Sequence, residues 1–201
     1  MNPEHVIVFL KAPRPGLVKT RIAKALDAEA AVGIYRVLLD RSLVALRDHS
    51  DVELRFTPDG ADEEIRPFLQ PGWTLRGQGT GDLGERLIRA TGEAFGAGAR
   101  RVVVVGSDCP TMTGDDVVDA FDALNDADVV LGPAEDGGYW LIGLRSPAPV
   151  LFQGISWGTE HVLIQTETRA REAGLSVGVL RRQADIDTLE DWRRWQRETP
   201  L

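Results

Sequence analysis

Residues 9–21, Phe-Leu-Lys-Ala-Pro-Arg-Pro-Gly-Leu-Val-Lys-Thr-Arg, combine cationic side chains with a glycine that lets a ligand approach the backbone. Lys11, Ala12, Pro13 and Gly16 read as a loop feeding a helix that begins near Lys19. With Lys19 and Arg21, that arrangement can offer free N–H groups and positive charge to a phosphate. Each charge-assisted bond of this kind contributes about 1.5–3 kcal/mol. The segment is not a Walker A loop, because Val18 stands where that motif requires glycine. A solvated basic turn is the simpler alternative.

Gly79-Thr80-Gly81-Asp82-Leu83-Gly84 satisfies G-x-G-x-x-G between a candidate strand and a candidate helix, and Asp108 follows at a distance suited to a ribose-binding carboxylate. That would be a dinucleotide site. Against it, the preceding segment Trp-Thr-Leu-Arg-Gly-Gln is polar for a central strand, and Asp82 would set a carboxylate beside the pyrophosphate. A loop in which Gly79, Gly81, Asp82 and Gly84 contact a base or ribose, and a plain turn, are the other readings.

Gly106-Ser107-Asp108-Cys109-Pro110 closes a valine-rich strand, and Asp185-Ile186-Asp187 precedes a capped helix. Hard cations such as Mg²⁺ or Mn²⁺ prefer oxygen ligands shared with phosphates. Asp108 and Asp187 could therefore hold one metal between them if the two segments meet, although aspartates before a helix also complement its dipole. Glu135-Asp136-Gly137-Gly138-Tyr139 is ordinary hairpin-turn chemistry, and its functional reading makes Asp136 or Glu135 a contact or general base for a second substrate. Trp157 and Thr159 could close the same pocket, although a helix cap also explains Thr159. Cys109 has no base at recognisable spacing, and no paired Cys or His motif supports zinc.

Positioning these groups requires an alternating α/β chain. Strands are expected at 5–10, 52–57, 73–78, 101–106, 128–133, 139–144 and 175–180, and helices at 28–47, 61–69, 82–97, from Thr113 onward, 159–173 and 188–197. Thr113 with Asp116, and Thr188 with Asp191, have the spacing of capping boxes. Too few residues separate the strands at 128–133 and 139–144 for a helical crossover, so these two should pair antiparallel. The expected fold is one three-layer α/β/α domain over residues 1–201, with a mostly parallel mixed sheet and a late hairpin. Ligands bind beyond the carboxyl ends of such strands, where residues 11–21, 106–110 and 185–187 all fall.

The 201 residues carry a net charge of −8. Residues 1–24 contribute +4, including all three lysines, and the remainder contributes −12. A local cationic segment on an acidic body suits a small anion, and neither nucleic acid nor membrane is an expected partner. No apolar run is long enough to span a bilayer, and a lone cysteine fits a reducing compartment, so the chain reads as soluble and cytoplasmic.

The ordered motifs Phe-Leu-Lys-Ala-Pro-Arg-Pro-Gly-Leu-Val-Lys-Thr-Arg, Gln-Gly-Thr-Gly-Asp-Leu-Gly-Glu-Arg, Gly-Ser-Asp-Cys-Pro, Gly-Pro-Ala-Glu-Asp-Gly-Gly-Tyr-Trp and Trp-Gly-Thr resemble a bacterial family with the glycosyltransferase A-type, nucleotide-diphospho-sugar transferase fold. One branch of that family is labelled as arsenosugar-biosynthesis glycosyltransferases. The closing Asp-Ile-Asp-Thr-Leu-Glu-Asp-Trp resembles phospholactate guanylyltransferase-like nucleotidylyltransferases on the same fold. The resemblance implies a nucleotide site formed by residues 11–21 and the Gly-Asp-Leu-Gly loop, with Asp108 and Asp187 as ligands of Mg²⁺ or Mn²⁺. Gly106 replaces the first aspartate of an Asp-x-Asp motif, and the glycine-rich opening of typical nucleotidylyltransferases is absent.

The expected function is metal-dependent transfer of a sugar from a nucleoside diphosphate sugar to a small acceptor. Lys19 and Asp136 act beside Asp108 as catalytic groups, and Glu135, Asp136, Gly137, Gly138, Tyr139, Trp157 and Thr159 form the acceptor side. The alternative joins a nucleoside triphosphate to a phosphorylated small molecule and releases pyrophosphate. A non-catalytic nucleotide-binding protein is a third reading, and a homodimer stays open.

Overall fold

The computed structural model describes residues 3–199. Seven strands, β1 (Glu4–Lys11), β2 (Val52–Thr57), β3 (Thr74–Gly77), β4 (Arg101–Gly106), β5 (Val129–Pro133), β6 (Tyr139–Leu144) and β7 (Val177–Val179), form one sheet in the order β3-β2-β1-β4-β6-β5-β7. All adjacent pairs are parallel except those made by β6, which runs antiparallel to β4 and to β5. The β5–β6 hairpin is the one foreseen from its short connection.

Successive residues of the inner strands feed opposite cores, as a sheet covered on both faces requires. Val6, Val8, Leu10, Val103 and Val105 pack with Tyr35 and Leu39 of helix α2 (Ala28–Ala45), behind the short α1 (Thr20–Ala25). Ile7, Val102 and Val104 pack on the other side, beneath Leu87 and Ala90 of α4 (Leu83–Gly96). The helix expected at 61–69 is shorter, because α3 (Asp62–Ile65) gives way to a 3₁₀ turn at Arg66–Phe68 where Pro67 enters. On β2, Arg55 is fully buried and survives there by pairing with Glu53 and Glu93.

Helix α5 (Gly114–Ala123) carries the Thr113/Asp116 capping box. Helix α6 (Val162–Glu172) starts three residues later than expected. Thr159 does not cap it; its hydroxyl donates to the Ser156 carbonyl at 2.7 Å and accepts the His161 N–H. Helix α7 (Leu189–Glu198) has the second foreseen box, Thr188 with Asp191. Trp195 of α7 shares a small core with Ile22, Ile34, Leu38 and Ile186. That packing brings the end of the chain back against α1.

Candidate functional site

The strand order reverses between β1 and β4, because β2 and β3 lie on one side of β1 and β4 lies on the other. Open α/β sheets bind ligands in the crevice at such a switch point. Phe9 pairs with Gly106, so Lys11 and Asp108 leave the sheet at the same level. A cavity of about 640 Å³ opens there, beyond the carboxyl ends of β1, β2, β3 and β4.

Its wall carries an ion cluster. The Lys19 ammonium lies 3.0 Å from Asp108 Oδ2 and 3.4 Å from Asp187 Oδ1, and Arg21 reaches Asp187 Oδ2 at 3.4 Å. The Lys19 side chain is 4 % exposed, whereas those of Asp108 and Asp187 are 44 % and 40 % exposed. Lys19 also has φ 45, the one positive φ outside glycine among the described residues. For an L-residue that backbone costs about 1–2 kcal/mol, so the surrounding fold holds Lys19 against local strain.

Each partner is fixed by its own support. The Ile186 N–H donates to the Asp108 carbonyl at 3.3 Å, tying the 185–187 loop to the end of β4. The N–H of Asp187 and that of Thr188 both donate to Asp191 Oδ2, which anchors Asp187 to the first turn of α7. On the β1 side, the Tyr35 hydroxyl accepts the Lys11 N–H at 2.9 Å and lies 3.0 Å from Ser107 Oγ, which in turn donates to Asp108 Oδ1. Burial pushes the Tyr35 hydroxyl pKa up, so it remains a neutral clamp between the ends of β1 and β4. Farther back, Arg181 binds both carboxylate oxygens of the buried Asp116 at 2.6 and 2.7 Å, and Gln183 bonds Thr111, Cys109 and Asp116. These contacts strap the chain after β7 onto the Asp108 side.

Asp136 and Asp185 also face the cavity. Burial, then the neighbouring charges of Asp136, Asp108 and Asp187, push the Asp185 carboxyl up to about 7, with Lys19 opposing the shift. Burial raises the Cys109 thiol to about 12, so it is no nucleophile.

The structure thus brings Lys11, Lys19, Arg21, Asp108, Asp136, Tyr139 and Asp187 to one cavity. Ala12, Pro13 and Gly16, in the connection between β1 and α1, do not line it. Gly79, Gly81, Asp82 and Gly84 stand outside its wall, for local reasons. Gly79 and Gly81 adopt φ 77 and φ 103. Asp82 caps α4 in a reciprocal box with Glu85. A Cβ on Gly84 would lie 2.4 Å from the Phe152 carbonyl oxygen. The loop's contributions to the cavity are Gln78, Leu83 and Arg86 instead. Glu135 turns toward Arg194 of α7 at 3.6 Å, and Gly137 packs on the Glu160 backbone. Gly138, Trp157 and Thr159 line an adjoining smaller cavity. Sequence reasoning missed Tyr35, Arg86, Gln183 and the Arg181–Asp116 pair. Arg86, in the first turn of α4 directly after the glycine loop, was the most accessible of these.

Among the described residues no three His, Cys, Asp or Glu side chains gather closely enough to form a complete metal cage. Two half-exposed carboxylates on an open polar cavity are the donor set that Mg²⁺ or Mn²⁺ takes when substrate phosphates and water complete its coordination. Asp108 and Asp187 fit that chemistry.

The family model described as "Uncharacterized protein conserved in bacteria (DUF2064)" matches residues 41–159, more than half of the chain. The chain belongs to the DUF2064 family. The matched region includes Asp108 and Asp136, while Lys19 and Asp187 lie outside it. This DUF2064 chain is also 32% identical over 178 residues to a 2-phospho-L-lactate guanylyltransferase from Methanothermobacter thermautotrophicus, covering 86% of this chain and 76% of that one. It is 29% identical over 164 residues to a phosphoenolpyruvate guanylyltransferase from Chloroflexus aggregans, covering 81% and 70%. A crystal structure from Desulfovibrio desulfuricans G20, named as a candidate nucleotide-diphospho-sugar transferase, superposes with a TM-score of 0.93 at 36% identity, covering all of this chain and 89% of that one. The DUF2064 chain is accordingly a transferase with the nucleotide-diphospho-sugar transferase fold.

Proposed function

We propose that this DUF2064 protein is a nucleotidylyltransferase that joins a nucleoside triphosphate to a phosphorylated small molecule and releases pyrophosphate. The observation that carries the reading is the Asp108–Lys19–Asp187 cluster at the switch point, flanked by Lys11, Arg21 and Arg86. It offers cations for several phosphates and two carboxylates for one divalent ion, in a cavity open enough for two substrates. The guanylyltransferase names of two relatives support this alternative over sugar transfer and make GTP the first triphosphate to test.

In this reading an oxygen of the acceptor phosphate attacks the α-phosphorus. The new P–O–P bond forms as the bond to the β-phosphate oxygen breaks, and the electron pair leaves with pyrophosphate. A phosphate nucleophile is already deprotonated near neutral pH, so Asp136 has no proton to remove and instead sets the position of the acceptor. Lys19 and Arg21 neutralise charge that builds on the departing phosphates. Lys11 and Arg86 hold the triphosphate and the acceptor phosphate from the β1 and α4 sides. A divalent ion held by Asp108 and Asp187 would supply further charge neutralisation at the phosphates. The strained backbone of Lys19 and its near-complete burial keep its ammonium aimed before substrate arrives.

Sugar transfer from a nucleoside diphosphate sugar is the second reading, favoured by the name of the Desulfovibrio structure. Product identity separates the two. The protein with Mn²⁺ is given GTP and a set of phosphorylated acceptors, and separately GDP-sugars and UDP-sugars with hydroxyl acceptors. Acceptor-dependent pyrophosphate in the first series supports nucleotidyl transfer. Free nucleoside diphosphate in the second, with no pyrophosphate in the first, refutes it.

A further inference from the structure

Beside the cationic cavity lies a smaller one of about 210 Å³, and the two share Phe9, Leu83, Gly106, Asp136, Tyr139 and Trp140. The two cavities therefore adjoin, and a ligand reaching from one into the other would pass these residues. The chemistry changes between the two. Lys11, Lys19, Arg21 and Arg86 line the larger cavity, whereas among the described residues no Lys, Arg or His lines the smaller. Its walls are chiefly Phe9, Leu87, Val104, Ile142, Trp157 and Val162, and among the described residues Asp136 is its one charged side chain.

The walls are built rather than incidental. Trp157 stands edge-on to Tyr139 with ring centroids 6.5 Å apart. Gly84 lets the Phe152 and Trp157 segment close onto α4, since a Cβ there would meet the Phe152 carbonyl oxygen at 2.4 Å and Trp157 Nε1 at 3.0 Å. Asp136 lines both cavities and is held in place, its Oδ1 accepting the Gly138 N–H at 2.8 Å. The turn behind it is pinned by the Leu163 N–H, which donates to the Gly137 carbonyl at 2.9 Å.

An apolar cavity of about 150 Å³ accommodates benzene, so this one suits a ring or a short branched chain. A carboxylate entering it would lose water, find no cation and face Asp136. We propose that the smaller cavity selects acceptors whose non-phosphate end is an uncharged alkyl or aryl group and rejects those carrying a carboxylate there. The acceptor phosphate stays among the cations while its tail passes Asp136. The inference rests on the nucleotidyl-transfer reading. It separates this chain from relatives named for phosphoenolpyruvate and phospho-L-lactate, acceptors that both bear a carboxylate.

Binding is measured by calorimetry on the whole protein with Mn²⁺ and a non-hydrolysable GTP analogue, using phenyl phosphate, butyl phosphate, 2-phospholactate and phosphoenolpyruvate. Phenyl or butyl phosphate should bind roughly tenfold or more tightly than either carboxylated acceptor. Thr159→Trp fills the cavity from an exposed position and Val162→Phe fills it from α6. Each should weaken phenyl phosphate by roughly tenfold and leave the affinity for the GTP analogue as in wild type. Asp136→Asn should tighten 2-phospholactate by about fivefold. Equal or tighter wild-type binding of 2-phospholactate overturns the proposal, as does undiminished phenyl phosphate binding by both filled variants. Pyrophosphate release is followed separately with the same acceptors. Selective binding without any pyrophosphate contradicts the nucleotidyl-transfer reading while upholding the cavity's preference.

Discussion

Replacing Lys19 by methionine removes an ammonium that is 4 % exposed and touches two carboxylates, while preserving a long apolar stem. Unit charges about 4 Å apart interact by about 4 kcal/mol at an effective dielectric of about 20. Asp108 and Asp187 are 44 % and 40 % exposed, however, so both recover water when the ammonium leaves. Such screening reduces the net loss of stability to roughly 1–2 kcal/mol. The effect on catalysis should be larger. A preorganised donor aimed at developing charge contributes about 2.7–4 kcal/mol, equivalent to about 10²–10³ in kcat.

Lys19→Gly separates side chain from backbone. Glycine relieves the roughly 1–2 kcal/mol cost of a left-handed residue and loses about 0.5–1 kcal/mol to chain entropy. Glycine also gives up the buried stem that methionine keeps, which contributes about 1.5–3 kcal/mol, so Lys19→Gly should be less stable than Lys19→Met by roughly 1–2 kcal/mol and equally impaired in turnover. Urea unfolding with and without Mn²⁺, together with initial rates of pyrophosphate release, measures both quantities. Added Mn²⁺ should restore the stability of Lys19→Met by neutralising the two carboxylates, but not its rate. A Lys19→Met protein that keeps wild-type kcat contradicts a role for the ammonium in turnover, and a Lys19→Gly protein more stable than Lys19→Met contradicts the stabilising part assigned to the buried stem.

Asp108→Asn and Asp187→Asn should each reduce Mn²⁺ affinity in the presence of nucleotide by about tenfold or more, read by electron paramagnetic resonance of free Mn²⁺, whereas Glu135→Gln should leave it unchanged. Tyr35→Phe breaks the clamp between Lys11 and Ser107 and should lower stability by about 1 kcal/mol, while raising KM more than it lowers kcat because the segments following β1 and β4 lose the hydroxyl that ties them together. Arg181→Met leaves one side of the buried Asp116 carboxylate without its partner and should cost about 1–3 kcal/mol in urea unfolding at neutral pH. Desolvation opposes the ionisation of Asp116, but its bonds to Arg181 and Thr113 outweigh it and hold the carboxyl below its ordinary value. The group's stabilisation is therefore complete above the usual aspartate pKa of about 3.9 and disappears as pH falls through the lower native value. Arg181→Met should flatten this part of the acid limb of the stability profile, and an unchanged acid limb would contradict it.

Much of the scaffold was legible because its signals are local. The four valines of 101–106 coincide with β4, and the Thr113/Asp116 and Thr188/Asp191 spacings mark real helix starts. The short connection between β5 and β6 was enough to infer their antiparallel pairing. The meeting of Asp108 with Asp187 was legible only as a placement at the same edge, because periodicity does not say which loops touch. The contacts that complete it join residues far apart in sequence: Lys19 with Asp187, Tyr35 with Ser107, and Arg181 with Asp116. Tyr35 had the spacing of a core residue and is one, but its hydroxyl has a second role that spacing does not encode. The glycine-rich loop carried a ligand-like pattern whose glycines serve positive φ and close packing, while Arg86 just beyond them faces the cavity.

In the proposed reaction the cluster around Lys19 serves transfer at the α-phosphorus of a triphosphate. Its most direct test is ³¹P NMR of the protein incubated with GTP, Mn²⁺ and an aryl phosphate, the Mn²⁺ being removed before acquisition. Nucleotidyl transfer yields a new pair of mutually coupled resonances, one from the former α-phosphorus and one from the acceptor, with an equimolar pyrophosphate signal, all absent for Lys19→Met over the same interval. GTP that stays intact under these conditions, while a sugar nucleotide is converted to nucleoside diphosphate by the same preparation, would contradict it.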